Sequence, residues 1–168
     1  MNSSALLVDA FSRIQDVVHS AVEGLSVDDL SFRPSPDANS PGWLVWHLTR
    51  VQDDHIADAA GLDQVWTAHS WHERFGLPFE PEATGYGQRS TQVAAVRVEA
   101  DLLTGYHDEV FDQTTSYIRS LTDADLDRIV DEQWDPPVTL AVRLISVVSD
   151  DLQHAGQASY LRGLLLQT

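Results

Sequence analysis

The chain has 168 residues, 43% of them hydrophobic and 21% charged, a balance that points to one folded domain spanning 1–168 and argues against global disorder. With 26 acidic against 10 basic residues and a formal charge of -16, most of the surface repels nucleic acid and anionic membranes. There is no cysteine, and every basic residue is Arg, so disulfides, Cys-ligated zinc, a cysteine nucleophile, Schiff-base lysines and the Lys of a P-loop are all excluded.

The opening MNSSALLVDAF lacks a basic stretch, and no apolar run approaches the ~20 residues that span a bilayer. A soluble, cytoplasmic protein is expected. From Ser4 to Glu23, apolar residues recur at Leu7, Ala10, Phe11, Ile14, Val17, Val18, Ala21 and Val22, which predicts a helix closed by Gly24. Leu25 to Leu30 reads as one capped turn, and Arg33-Pro34-Ser35-Pro36 as a non-helical connection. Ser40-Pro41 then looks like an N-cap followed by Pro at the first helical position, with Gly61 as the stop, giving a second helix over Pro41–Ala60.

Residues 61–89 hold Trp66, Trp71, Phe75 and Phe79 without sustained periodicity. Loops this long inside compact domains tend to be lids or crossovers. Its aromatics either line a pocket as a lid or pack the loop onto the bundle, and His69 and His72 could add a ligand or a proton carrier. Gly85-Tyr86-Gly87-Gln88-Arg89-Ser90 follows no strand, so it reads as a helix cap whose amides might hold an anion rather than as a phosphate loop. A third helix is predicted from Ser90 or Thr91 to Leu121, loosened at Gly105. After Pro136-Pro137, a fourth helix starts at Thr139 with Leu140, Leu144, Val147, Asp151, His154, Ala158, Leu161 and Leu165 in alternating steps of four and three. With no strand alternation, the expected class is all-α: a four-helix bundle whose long helix 2–helix 3 crossover loop lets those two helices run parallel.

Polar residues interrupt the apolar faces at a few places. Asp150 and His154 lie at the i, i+4 spacing that brings side chains within about 5–6 Å on one face. They form either a ligand pair or a hydrogen-bonded pair, and Asp151 at i−3 from His154 competes for the same role. His47 sits in Trp43-Leu44-Val45-Trp46-His47-Leu48, a setting too apolar for a solvated imidazole, where it is either a satisfied core histidine or a ligand. His55 is a rise of about 12 Å further along the same helix and cannot share an ion with His47; with Asp54 and Asp58 it reads as a solvated face. Burying His47, His154 and an aspartate in one seam is costly without a partner. A divalent cation would offset that cost, and two imidazoles with one carboxylate would leave a coordination position open, as catalytic sites do. Zinc, nickel and iron(II) all suit this ligand set.

The motifs Arg33-Pro34, Ser40-Pro41-Gly42 and Trp43-Leu44-Val45-Trp46-His47-Leu48, together with Asp150-Asp151-Leu152-Gln153-His154-Ala155-Gly156, resemble the DinB-like superfamily of metal-binding four-helix bundles. Related members include the N-terminal domain of mycothiol-dependent maleylpyruvate isomerase and the bacillithiol transferases. The resemblance covers essentially the whole chain. It implies metal ligation by His47, Asp150 and His154, with Asp150 standing where members carry Glu or His. It further implies a transferase that uses a low-molecular-weight thiol, mycothiol or a similar one, as cosubstrate against an electrophilic small molecule. A metal-dependent hydrolase, or a non-catalytic metal-binding bundle that forms a homodimer, are the alternatives, and neither nucleic acid nor membrane is an expected partner.

Overall fold

The computed structural model describes residues 2–167. Four long helices carry the core. α1 (Ser3–Val22) starts where the Asn2 side chain accepts the Ala5 amide at 2.9 Å, an N-cap that satisfies one of the free donors of the first turn. α2 (Val27–Leu30) is a single turn closed by a reciprocal Ser26/Asp29 capping box. α3 (Pro41–Ala60) begins on the Ser40 hydroxyl and ends at Gly61 in the left-handed conformation, as the Pro-at-start and Gly-at-end pattern requires. The crossover between α3 and the next long helix contains two helical turns, α4 (Val65–Ala68) and α5 (Trp71–Phe75), and a third, α6 (Ser90–Ala94). α7 (Ala100–Ser120) and α8 (Leu140–Leu165) complete the bundle, separated by a small antiparallel ribbon of β1 (Ile129–Asp131) and β2 (Val138–Thr139).

Paired contacts give the directions. Thr49 meets His107, Gln52 meets Thr114 and the Ala59 carbonyl meets Tyr117, so α3 and α7 run parallel, as the long crossover predicts. His47 faces His154 and His55 faces Arg143, so α8 runs antiparallel to α3. The Ser4 hydroxyl donates to the Ile118 carbonyl while His19 pairs with Asp108, so α1 runs antiparallel to α7. Each of α1 and α3 packs against both α7 and α8 but little against the other. The bundle is therefore a square with α1 and α3 on opposite corners.

Three expectations need correction. The third helix is not continuous: it breaks at 95–99, where Val96 and Val98 are buried while Arg97 and Glu99 are exposed. An alternation of period two cannot be met by a helix, and the chain leaves the helix there so that both valines are buried. Gly105 does not loosen α7; the helix runs through it, and a β-carbon there would sit 2.8 Å from the Trp71 ring. Its role is to admit that indole. The ribbon of β1 and β2 is also a strand pair that the sequence reading did not anticipate. No helix among the described residues is long and apolar enough to cross a membrane.

Candidate functional site

Because α3 and α8 are antiparallel neighbours, His47 comes to lie against the turn carrying Asp150 and His154. One potential ligand atom from each of the three residues falls within 4.8 Å of the others. The His47 and His154 rings are 4.9 Å apart at 68°, and His154 Nε2 is 3.5 Å from Asp150 Oδ1. Trp43, one turn before His47, stacks on its imidazole at 4.6 Å and 14°, and its indole N–H donates to the Gln88 side chain at 2.7 Å.

Both imidazoles are oriented by a hydrogen bond from their other nitrogen. His47 Nδ1 lies 2.5 Å from the Thr84 carbonyl, which can only accept, so Nδ1 carries the proton and the Nε2 lone pair is free. His154 Nδ1 lies 3.0 Å from the Gln157 side-chain oxygen, with the same consequence. This is the arrangement by which metal-ligating histidines are fixed in tautomer and direction.

The electrostatics of the three groups are coupled. Burial pulls His47 below its ordinary value, with the Thr84 hydrogen bond opposing and the His154 charge reinforcing. The Asp150 carboxylate, accepting from protonated His154 Nε2, raises His154 against its burial. Burial alone would raise Asp150, but the hydrogen bond and charge of His154, with the charges of His47 and His55, hold it below the usual carboxylate range. Asp150 Oδ2 is buried without any hydrogen-bond partner. A buried carboxylate oxygen without a donor, beside the Nε2 atoms of two imidazoles, is a set that a cation fits.

Asp151, which residue spacing alone ranks equally with Asp150, lies outside this cluster. It is 0% exposed within the core, neither of its oxygens has a partner, and burial followed by the Asp150 charge pushes its carboxyl well above the ordinary value. It belongs to the packing face of α8 and not to the His47 cluster.

Sequence reasoning missed the strap that covers His47. Residues 81–85 are tied to α3 by Arg50, fully buried one turn after His47, which donates to the carbonyls of Ala83 at 3.1 Å and Pro81 at 3.4 Å and to Gln64 at 2.9 Å. Asp53 lies 3.6 Å from Arg50 and accepts the backbone amides of Val65 and Trp66 and the Tyr106 hydroxyl, anchoring the start of α4. The signal available was an Arg and an Asp inside an otherwise apolar helix face, since charges are rarely fully buried unless paired. Arg33 does the same for the connection before α3, donating to the carbonyls of Pro36, Ala38 and Ser90.

The remaining loop candidates are structural. Trp66, Trp71 and Phe75 are buried around Tyr106, and Phe79 packs on Trp46, so they fix the crossover to the bundle. His69 pairs with Glu109 at the surface, and His72 faces the Phe79 carbonyl; neither reaches the His47 cluster. Gly85 to Ser90 holds no helix N-terminus of useful length, because α6 has five residues. His55 is not on a solvated face: it is half-buried and accepts from Arg143 at 2.6 Å. His47, His55, Asp150 and Arg143 all line one cavity of about 630 Å³, with Val51, Val138, Val142 and Val147 as apolar wall.

The sequence matches the Mycothiol-S-transferase family profile over residues 6–167. The chain belongs to the mycothiol-S-transferase family. Within the solved structures, this family member is similar to a conserved protein from Enterococcus faecalis, with a TM-score of 0.92 and 30% identity over 100% of this chain and 99% of that one. The family match and the all-α bundle are consistent with the DinB-like resemblance of the sequence. No curated protein matches the sequence.

Proposed function

We propose that this protein is a metal-dependent transferase that joins a mycothiol-type thiol to an electrophilic small molecule, with His47, Asp150 and His154 as the metal ligands. The observation that carries the reading is the pair of oriented imidazoles: the Thr84 and Gln157 oxygens each accept from an Nδ1, which reserves Nε2 of both rings for a ligand position beside the Asp150 carboxylate, where a cation would replace the proton that His154 Nε2 shares with Asp150. Family membership supports the thiol. The absence of cysteine in the chain is in keeping with a thiol that arrives from solution.

A divalent cation bound by these residues supplies the acidity that deprotonates a coordinating thiol at neutral pH. Zinc, nickel and iron(II) are all compatible with the ligands. The protein's own residues do the rest. The carboxylate of Asp150 balances cationic charge, Trp43 seals one side of the His47 ring, and the valine-lined wall of the cavity keeps water from the sulfur. Transfer would form a bond between the thiol sulfur and the electrophilic carbon while the carbon's bond to its leaving group, chloride for a chloroalkyl electrophile, breaks with the electron pair, the thiol proton passing to solvent.

The test is turnover of a fluorogenic electrophile such as monochlorobimane with mycothiol, with and without added zinc. Activity is expected to need both thiol and metal. Consumption of the electrophile that is undiminished without thiol would overturn the transferase reading in favour of a hydrolase using the same open position for water. Equal zinc content in the wild type and His154→Ala, both purified without a His tag, would overturn the ligand assignment.

A further inference from the structure

His55 lines the same cavity as His47, about two turns further along α3, and the proposed ligand set does not use it. Its surroundings fix its protonation. The Arg143 guanidinium lies 2.6 Å from His55 Nδ1 and can only donate, so Nδ1 is the acceptor and the ring proton sits on Nε2. Arg143 is held in turn by Asp131 of β1, which accepts from its second nitrogen at 3.0 Å. The three residues come from α3, α8 and the ribbon, and all of them line the cavity. Burial first, and then the Arg143 charge, lower His55 against the opposing carboxylates of Asp54, Asp58 and Asp150, so the ring is neutral at neutral pH.

The Nε2–H of His55 is left with nothing to bind. Among the described residues it has no hydrogen-bond partner, and it is not sealed from solvent, while the ring forms part of the cavity wall. A neutral imidazole N–H that a neighbour holds in direction is one way to stabilise charge developing on a carbonyl oxygen. The spacing suits such a role. An attack contact of about 3.3 Å, the four-atom span from the attacked carbon to a conjugated carbonyl oxygen, and a hydrogen bond of about 2.8 Å add up to roughly 9 Å. That length fits within the rise of about 12 Å between His47 and His55.

Building on the transferase reading above, we propose that His55 is a further catalytic residue, whose Nε2–H binds the carbonyl oxygen of an α,β-unsaturated carbonyl electrophile, with Arg143 and Asp131 as positioning residues. The thiolate sulfur forms a bond to the β-carbon, and the π pair of the carbon–carbon double bond shifts to place negative charge on the carbonyl oxygen, where His55 donates. The α-carbon then takes a proton from solvent, matching the one that the thiol released, so the sum is addition of the thiol across the double bond. An electrophile that loses a halide gathers no such charge on a carbonyl and gains less from His55.

Two electrophiles isolate the role: 2-cyclohexenone, which adds a thiol, and monochlorobimane, which loses chloride. With mycothiol and the zinc-loaded protein, His55→Phe is expected to lower kcat/KM for cyclohexenone about 100-fold more than for monochlorobimane. His55→Gln returns an N–H donor and is expected to recover most of that difference, and Arg143→Met is expected to show a smaller loss in the same sense. Equal losses on the two electrophiles in His55→Phe, or no recovery in His55→Gln, would overturn the proposal. If neither electrophile turns over in the wild type, the transferase reading has failed, and infrared spectroscopy of carbonyl-labelled 2-cyclohexenone bound without thiol decides the His55 contact separately. The chain has neither Cys nor Lys to consume this probe. A carbonyl stretch that moves to lower frequency in the wild type and moves back in His55→Phe upholds the contact. A stretch that is unshifted in the wild type, or shifted equally in both proteins, overturns it.

Discussion

Gly85 crosses directly over the imidazole of His47: a β-carbon on Gly85 would fall 2.6 Å from His47 Nδ1 and 3.1 Å from the rings of both Trp43 and Trp46. The backbone there also has φ +96, a conformation that L side chains rarely adopt. No flexible tail is available to move aside, because the contacts are the His47 imidazole and two buried indoles. The carbonyl that orients His47 belongs to the preceding residue, Thr84, so any displacement of Gly85 is passed to the His47 ring.

Gly85→Ala is therefore expected to keep the helical bundle while loosening His47. Loss of an orienting hydrogen bond on a metal-ligating histidine costs about 10–100-fold in metal affinity. Competition with a chelator, alongside an unchanged far-ultraviolet circular dichroism spectrum, measures the effect. An affinity equal to that of the wild type would show that the strap does not set the ligand.

Asp150 and Asp151 should separate cleanly. Asp150→Asn removes the carboxylate of the cluster and is expected to lower zinc retention at least about tenfold. Asp151→Val removes a buried acid that has no hydrogen-bond partner, and is expected to retain zinc and to stabilise the fold by about 1–2 kcal/mol. Elemental analysis and urea unfolding check the two outcomes. Zinc lost from the Asp151 variant and kept by the Asp150 variant would reverse the assignment.

Arg50 is expected to be among the most sensitive positions outside the cluster. Arg50→Met leaves Asp53 buried without its cation and frees the carbonyls of Pro81 and Ala83. Breaking a buried ion pair on one side costs about 3–5 kcal/mol. Urea denaturation gives that loss, and zinc affinity measured on the fraction that remains folded is expected to fall with it, because Arg50 positions the strap that holds His47. Zinc affinity untouched by a destabilising Arg50 variant would separate the clamp from the site.

His107 supplies a pH dependence whose sign follows from its burial. It is fully buried, its Nε2 has no partner, and desolvation holds its pKa down to about 4. An unfolded histidine takes up its proton near 6.5. Above pH 6.5 both states are neutral and the stability is complete. As the pH falls from 6.5 to about 4, the unfolded state binds a proton that the folded state refuses, and stability drops by on the order of 3 kcal/mol. His47 and His55, both also lowered by burial, add to the slope in the same direction. His107→Leu should flatten this window in denaturant titrations taken between pH 4 and 7. A slope unchanged by that substitution would place the proton uptake elsewhere.

The parts of the site that lie on helix faces were readable from residue spacing. Asp150 and His154 share a face because four residues nearly complete a turn, and His47 stands out because its neighbours are Trp43, Val45, Trp46 and Leu48. The strap was not readable. Thr84 is 37 residues from His47 in the chain, and Gly85 in a stretch with other glycines looks like any turn. Likewise, the interruption of the third helix at Val96 and Val98 depends on which surfaces are available to bury two valines at a spacing of two.

What the amino-acid order determined by itself is local: four amphipathic helices, the cap at Ser40, the long crossover, and an acid and an imidazole one turn apart. Tertiary structure alone decided which aspartate meets His47. Successive residues on a helix differ by about 100° in direction, so Asp150 and Asp151 cannot both face the same neighbour, and spacing alone ranks neither above the other. The rotation of α8 against α3 settles it, and that rotation comes from the packing of the whole apolar seam rather than from either aspartate.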